Sequence, residues 1–381
     1  MAIISDNYKG RSFTINPTKK EGEKEKMDVI VTIPPYAPWI EEVAKHPVVS
    51  GLRLNTVMRI REPFVSTLKA IAACTHGKPL WIDLKTRQIR TAYGRYYGLP
   101  TGMPETVTVH GETYKLDPSE PLIHGDVRCA PWATLRIMNK IKVDLSKGPI
   151  PCYFNDGLQK AQLVDVIDGN ELVFLDGPKK RIGPGESINI MHPSLEIEGF
   201  INEMDHKFIA AAKDAGVHNY MLSYVEKDSD IEEMLAADPE ANIRAKVESR
   251  EGVRWVREGY RKNWKGHPRV NLVAATGDLY VEVGTPRPEK ILRPLRQIIS
   301  ADKDAWMASR VMSSLRESER PAFTEFTSLG YFHLLGFPHI MIGEEIFMQK
   351  DTVLLALDML QATFKECDEI AAEFGDGRRK R

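Results

Sequence analysis

Cysteine is scarce: Cys74, Cys129, Cys152 and Cys367 are the only four among 381 residues, and no two share a Cys-x-x-Cys spacing. That leaves no basis for a disulfide framework or a structural zinc site, and it fits a reducing cytoplasm. An excess of charge is missing too, since 52 basic against 53 acidic residues create no global field to draw in nucleic acid or an anionic membrane. No apolar run approaches a bilayer crossing, the longest lying around Val353 to Leu357. There is no Gly-x-x-x-x-Gly-Lys phosphate loop, and Gly183-Pro184-Gly185 reads as a turn. No internal repeat or aromatic-basic interleaving occurs. His333 and His339 have no metal-ligand companion at useful spacing and read as structural, and Glu344-Glu345 reads as an acidic start to the last helix.

What is present is a chain with 42% apolar residues, enough for a real core and long enough for one large barrel with an insertion. The stretch from Met1 to Met27 carries Lys19, Lys20, Glu21, Glu23, Lys24, Glu25 and Lys26 and no apolar segment of a secretory signal, so it reads as a solvated extension. Beyond it, eight short apolar strands are expected at 29–33, 51–55, 80–84, 220–225, 243–247, 270–275, 305–309 and 339–342. Helical patterns fall between them at 201–215, 231–237, 289–299 and 352–364, where Val353, Leu357, Leu360 and Phe364 share one face. Eight alternations predict an α/β fold, a (β/α)8 TIM barrel, with chemistry at the C-terminal strand ends. The region from Thr91 to Asn189 breaks the pattern: alternating runs are punctuated by His110-Gly111, Asp156-Gly157 and Asp168-Gly169. It reads as an inserted small β-barrel domain over 92–189, a lid on a barrel spanning 28–91 and 190–374.

Two strands end in charge. In Ile243-Arg244-Ala245-Lys246-Val247-Glu248, alternation sends Lys246 and Glu248 to one face, and Asp278, following Val270 to Gly277, can join them. One cation and two carboxylates within reach of one point suit magnesium, which takes one or two carboxylates and leaves sites for substrate oxygens. Beside it, a lysine neutralises a phosphoryl group or an enolate. Charges also collect at strand ends simply because water begins there.

The order of short motifs resembles the pyruvate kinase family. Thr32-Ile33-Pro34-Pro35 stands beside the family's Thr-Ile-Gly-Pro, Arg53-Leu54-Asn55-Thr56-Val57-Met58-Arg59 beside Arg-Leu-Asn-Phe-Ser-His-Gly, and Asp83-Leu84-Lys85-Thr86-Arg87-Gln88-Ile89-Arg90-Thr91 beside Asp-Thr-Lys-Gly-Pro-Glu-Ile-Arg-Thr. Further on come Asn155-Asp156-Gly157-Leu158, Ser223-Tyr224-Val225-Glu226, Lys246-Val247-Glu248, Gly277-Asp278-Leu279-Tyr280-Val281-Glu282 and Ala308-Ser309-Arg310-Val311. The resemblance implies that Glu248 and Asp278 hold Mg2+ or Mn2+ and that Lys246 serves the transferred phosphoryl group and the enolate. It further implies that Arg53 holds the substrate phosphate and that Gly277, Asp278 and Ser309 hold the substrate carboxylate. Thr32, Pro35, Asn55 and Arg90 match the nucleotide positions, but Met58 and Glu186 replace a histidine and a lysine there. Asn55 and Asp83 remain of a potassium site in which Val57 and Leu84 replace oxygen donors and Gln88 replaces a glutamate. Arg87 either supplies the missing positive charge or is an exposed loop arginine. The family's C-terminal regulatory domain is not expected here, because the barrel's last helix ends at Phe374 and 375–381 reads as a frayed basic tail.

The expected function is therefore phosphoryl transfer between phosphoenolpyruvate and a nucleoside diphosphate, giving pyruvate, with magnesium. A magnesium-dependent lyase or decarboxylase of an oxaloacetate-like acid and a non-catalytic phosphoenolpyruvate sensor are the alternatives. Expected partners are phosphoenolpyruvate or pyruvate, a nucleoside di- or triphosphate, and a second copy through the barrel; nucleic acid and membrane are not.

Overall fold

The computed structural model describes residues 27–97, 106–109, 112–115, 122–124, 127–129 and 132–379, apart from 156, 176, 179, 285, 286 and 345. The extension up to residue 26, the His110-Gly111 turn, Asp156 and the last two residues of the tail lie outside the described residues.

Eight parallel strands close into a barrel in chain order: β1 (Asp28–Thr32), β2 (Val49–Asn55), β3 (Leu80–Leu84), β4 (Asn219–Leu222), β5 (Asn242–Val247), β6 (Val270–Ala275), β7 (Trp306–Ser309) and β8 (His339–Ile342). β8 pairs back onto β1 and removes any free edge. Period-two alternation divides the residues. Val29, Val31, Ile82, Leu84, Ile243 and Ala245 join the layer between sheet and helices, while Ile30, Trp81, Met221, Val273, Trp306 and Met341 form a separate buried cluster within the lumen. Arg244 also lies there, its guanidinium 4.1 Å from the Trp81 ring and 4.0 Å from the Trp306 ring, with His339 stacked on Trp306 at 4.7 Å.

β4 ends three residues earlier than its apolar pattern, because Tyr224 adopts φ 52° and turns the chain away. The last helix, Lys350–Arg379, runs on past Phe374, so residues 375–379 continue the helix where a frayed tail was expected. Among the described residues no helix is long and apolar enough to cross a membrane.

Between β3 and β4 lies an antiparallel six-stranded sheet in the order 188–190, 150–154, 159–167, 171–175, 132–137, 91–97. Its outer strands meet near their ends, where Thr91 N–H donates to Glu186 O and Ile188 N–H to Ile89 O, each at 3.0 Å. The sheet thus curls back on itself around its own core of Leu135, Cys152, Phe154, Leu163, Leu172 and Phe174. The Asp168-Gly169 signal is a tight turn with both residues at positive φ, 51° and 76°, the geometry that glycine at the second position favours.

Candidate active site

The carboxylate of Asp83, fully buried at the end of β3, is the centre of a charge cluster at the C-terminal mouth of the barrel. Arg53 Nε donates to Asp83 Oδ2 at 2.8 Å, and Arg53 Nη2 reaches the same oxygen. Lys246 Nζ stands 3.1 Å from Asp83 Oδ1 and 3.4 Å from Glu248 Oε1, and Lys85 Nζ is 3.2 Å from Asp83 Oδ2. Burial alone would raise the Asp83 pKa, but Arg53, Lys246 and Lys85 outweigh it and hold the carboxyl well below the usual carboxylate range. Burial works against the Lys246 charge, yet Asp83 and Glu248 raise its pKa. Lys85 goes the other way: burial first, then Lys246, Arg90 and Arg53, bring it down to about 7 against the pull of Asp83. Three cationic groups thus converge on one carboxylate, a concentration of positive charge that an anionic ligand can use.

Arg53 is steered from its other side. Its Nη1 donates to Thr32 Oγ1 at 2.7 Å, and that hydroxyl donates to Ile342 O at 2.7 Å. Glu344 Oε1 lies 3.2 Å from Arg53 Nη1 and accepts from Asn55 Nδ2. Glu344 therefore belongs to this cluster, six residues ahead of the helix that begins at Lys350, and not to the helix start. Thr32 is fully buried and spent on positioning Arg53. Pro35 sits in the turn after β1, where Ala37 N–H donates to Pro34 O. Asn55 and Asp83, the remains of the expected potassium site, are both engaged, and the cations on Asp83 oppose a further one.

The acidic half lies alongside. Glu248 Oε2 accepts the Tyr224 N–H at 2.7 Å. Asp278 sits in the first turn of the helix Thr276–Gly284 and not at a strand end; its Oδ2 accepts from Gln88 Nε2 at 2.9 Å and its Oδ1 from Asn189 Nδ2 at 3.2 Å. That amide also reaches Tyr224 Oη at 2.7 Å and Glu282 Oε1 at 3.2 Å. The two predicted metal ligands thus stand at opposite ends of Tyr224, Glu248 at its backbone N–H and Asp278 beside its hydroxyl. Glu282 is pushed up to about 8 by burial, then by Asp278 and Glu226, against the Asn189 hydrogen bond, which marks an excess of negative charge there. An all-oxygen acidic set of this kind fits a hard divalent ion. Among the described residues no group of three or more His, Cys, Asp or Glu could hold a metal.

Gln88 joins the two halves, because its Oε1 accepts from Arg90 Nε and Nη2 at 2.9 and 2.7 Å while Arg90 Nη1 reaches Gly185 O in the inserted sheet. Gly277 shares the first helical turn with Asp278, where N–H groups favour a carboxylate. Ser309 closes β7, and its side chain lies outside the described residues. Arg87 is neither exposed nor a site cation. It is buried, pairs with Asp230 through both Nη atoms at 2.7 and 2.6 Å, donates to Tyr224 O and lies over the Phe200 ring. Sequence reasoning passed over Lys85, Asn189, Tyr224, Glu282 and Glu344. Only Lys85 left a signal, being two residues from Asp83 and so on the same face. No protein-family model matches the chain, and no curated protein matches it.

Proposed function

We propose that this chain is a phosphotransferase that moves a phosphoryl group between phosphoenolpyruvate and a nucleoside diphosphate, giving pyruvate, with Mg2+. The observation that carries the reading is the meeting of Arg53, Lys85 and Lys246 on Asp83, with Glu248 against Lys246. Arg53, a planar and permanently charged fork, would hold the phosphate, and Lys246 would stabilise the charge that develops on the transferring group and the enolate oxygen. The Gly277 and Asp278 N–H groups would orient the substrate carboxylate. Glu248 and Asp278 would hold the divalent ion, which supplies neutralising charge for substrate oxygens. The inserted sheet, tied to the mouth through Asn189 and Arg90, would act as a lid that limits water at the reacting group.

A second reading keeps the enolate site and drops the nucleotide, giving a magnesium-dependent lyase or decarboxylase of an oxaloacetate-like acid. It is favoured by the burial of Thr32 and by Met58 and Glu186 at nucleotide positions. A lactate-dehydrogenase-coupled assay with phosphoenolpyruvate, several diphosphates and magnesium, with and without potassium, separates the two. Expected is diphosphate-dependent pyruvate formation that Lys246→Met lowers by at least about 100-fold. No turnover with tight oxalate binding would replace the first reading with the second, and ligand binding without chemistry on any acid would leave a sensor.

A further inference from the structure

Lys85 is held in place more firmly than a surface lysine requires. Its backbone N–H and that of Thr86 donate to the two oxygens of Asp205 at 3.0 and 2.7 Å. Thr86 Oγ1 donates to Ser223 O, and Asn139 Nδ2 donates to Thr86 O at 3.3 Å. Thr86, a β-branched residue, is thereby fixed at φ 41°, a conformation that persists only where its surroundings over-determine it and that gathers at functional sites. Asp83 points into the mouth, Leu84 packs outward in the sheet–helix core, and Lys85 carries the inward alternation one step past the end of β3.

The ammonium so placed is 5% exposed and makes no hydrogen bond. Its contact with Asp83 Oδ2 at 3.2 Å falls off the hydrogen-bonding direction, on an oxygen already taken twice by Arg53. A buried ammonium with no hydrogen-bond acceptor is costly; around it stand Arg53, Arg90 and Lys246, which supply no acceptors, and the Glu344 carboxylate, which is engaged by Arg53 and Asn55. The partner that satisfies it is an anion entering the mouth. We propose that Lys85 is a direct ligand of the anionic substrate, its ammonium leaving the crowded Asp83 oxygen for an oxygen of the phosphate that Arg53 and Lys246 also hold. This rests on the reading of the mouth as a phosphoenolpyruvate site.

Titration calorimetry of the full chain with phosphoenolpyruvate and Mg2+ tests it, on wild type, Lys85→Met and Lys85→Gln, with circular dichroism and melting of each variant alongside. Removing a charge-assisted hydrogen bond predicts roughly 10- to 100-fold weaker binding in both variants, with the unliganded melting temperature unchanged or raised, because an unsatisfied buried charge has gone. If the wild type binds and either folded variant binds within about twofold of it, Lys85 is not a ligand, while the phosphoenolpyruvate reading stands. If both variants lose melting temperature and the folded fraction binds normally, Lys85 is a structural residue and the inference fails. If the wild type binds neither phosphoenolpyruvate nor oxalate, the reading itself fails and takes the inference with it.

Discussion

Asp83→Asn is the substitution whose outcome follows most directly from the charge cluster. Among the described residues, Asp83 is the one carboxylate shared by Arg53, Lys85 and Lys246. Without its charge Arg53 keeps Glu344 at 3.2 Å and Lys246 keeps Glu248 at 3.4 Å, whereas Lys85 has no carboxylate in contact. Breaking a buried ion pair by removing one partner costs about 3–5 kcal/mol, here with mutual repulsion of the cations added. For a chain of this size, with an unfolding entropy of about 2.1 cal/mol/K per residue, we expect melting to fall by about 4–6 °C. Because the vacated charge lies where an anion is proposed to bind, inorganic phosphate at about 10 mM should raise the variant's melting temperature by binding the folded state, by about 1.4 kcal/mol for a Kd of about 1 mM. Differential scanning calorimetry over a phosphate series reads both effects. The pH sign follows from the same contacts: a carboxyl held below its unfolded value of 3.8 contributes stability that is lost only as pH falls through the folded value. The deficit of the variant therefore persists down to about pH 4 and closes at more acid pH. A variant that melts within about 2 °C of wild type, with no response to phosphate, would refute the account of Asp83 as a compensating charge.

Asp205→Ala strands the N–H groups of Lys85 and Thr86 and should cost about 2–6 kcal/mol in urea unfolding, at 1–3 for each buried donor left unpaired. Asp205→Asn keeps one acceptor and should lose about half as much; equal losses would show that the bonds to Lys85 and Thr86 do not set the value. At the floor of the barrel, Arg244→Ala removes the filling between Trp81 and Trp306 and should cost about 3–4 kcal/mol. Arg244→Met, of similar length and with sulfur between two rings, should stay within about 1.5 kcal/mol of wild type. A larger loss in the methionine variant would assign the stability to the charge on Arg244, which faces Asp302 and Asp28.

The barrel was legible because a strand buried on both faces leaves a continuous apolar run, and all eight strands fall within a few residues of their expected places. Alternation was enough to put Lys246 and Glu248 on one face, and motif order named Thr32, Arg53, Asn55, Asp83 and Arg90, which the fold brings to the same end of the barrel. Tyr224 was hidden because apolar character continues through Val225 while the backbone has already turned; no pattern of hydrophobicity records a positive φ. Asp205, Asn189 and Glu344 were hidden for a different reason. Their partners lie 120, 89 and 289 residues away in the chain, and contacts of that range are set by closure of the barrel and by the docking of the inserted sheet. Arg87 was misjudged because a loop position was equated with exposure, although Asp230, 143 residues on, takes it inside.

The pillar of Trp81, Arg244, Trp306 and His339 has a consequence for the barrel as a whole. Rings and guanidinium stacked within 4.0–4.7 Å of one another fill that end of the lumen with packed side chains. The barrel therefore has two unlike ends: an aromatic plug near the strand starts, and the polar groups around Asp83 near the strand finishes.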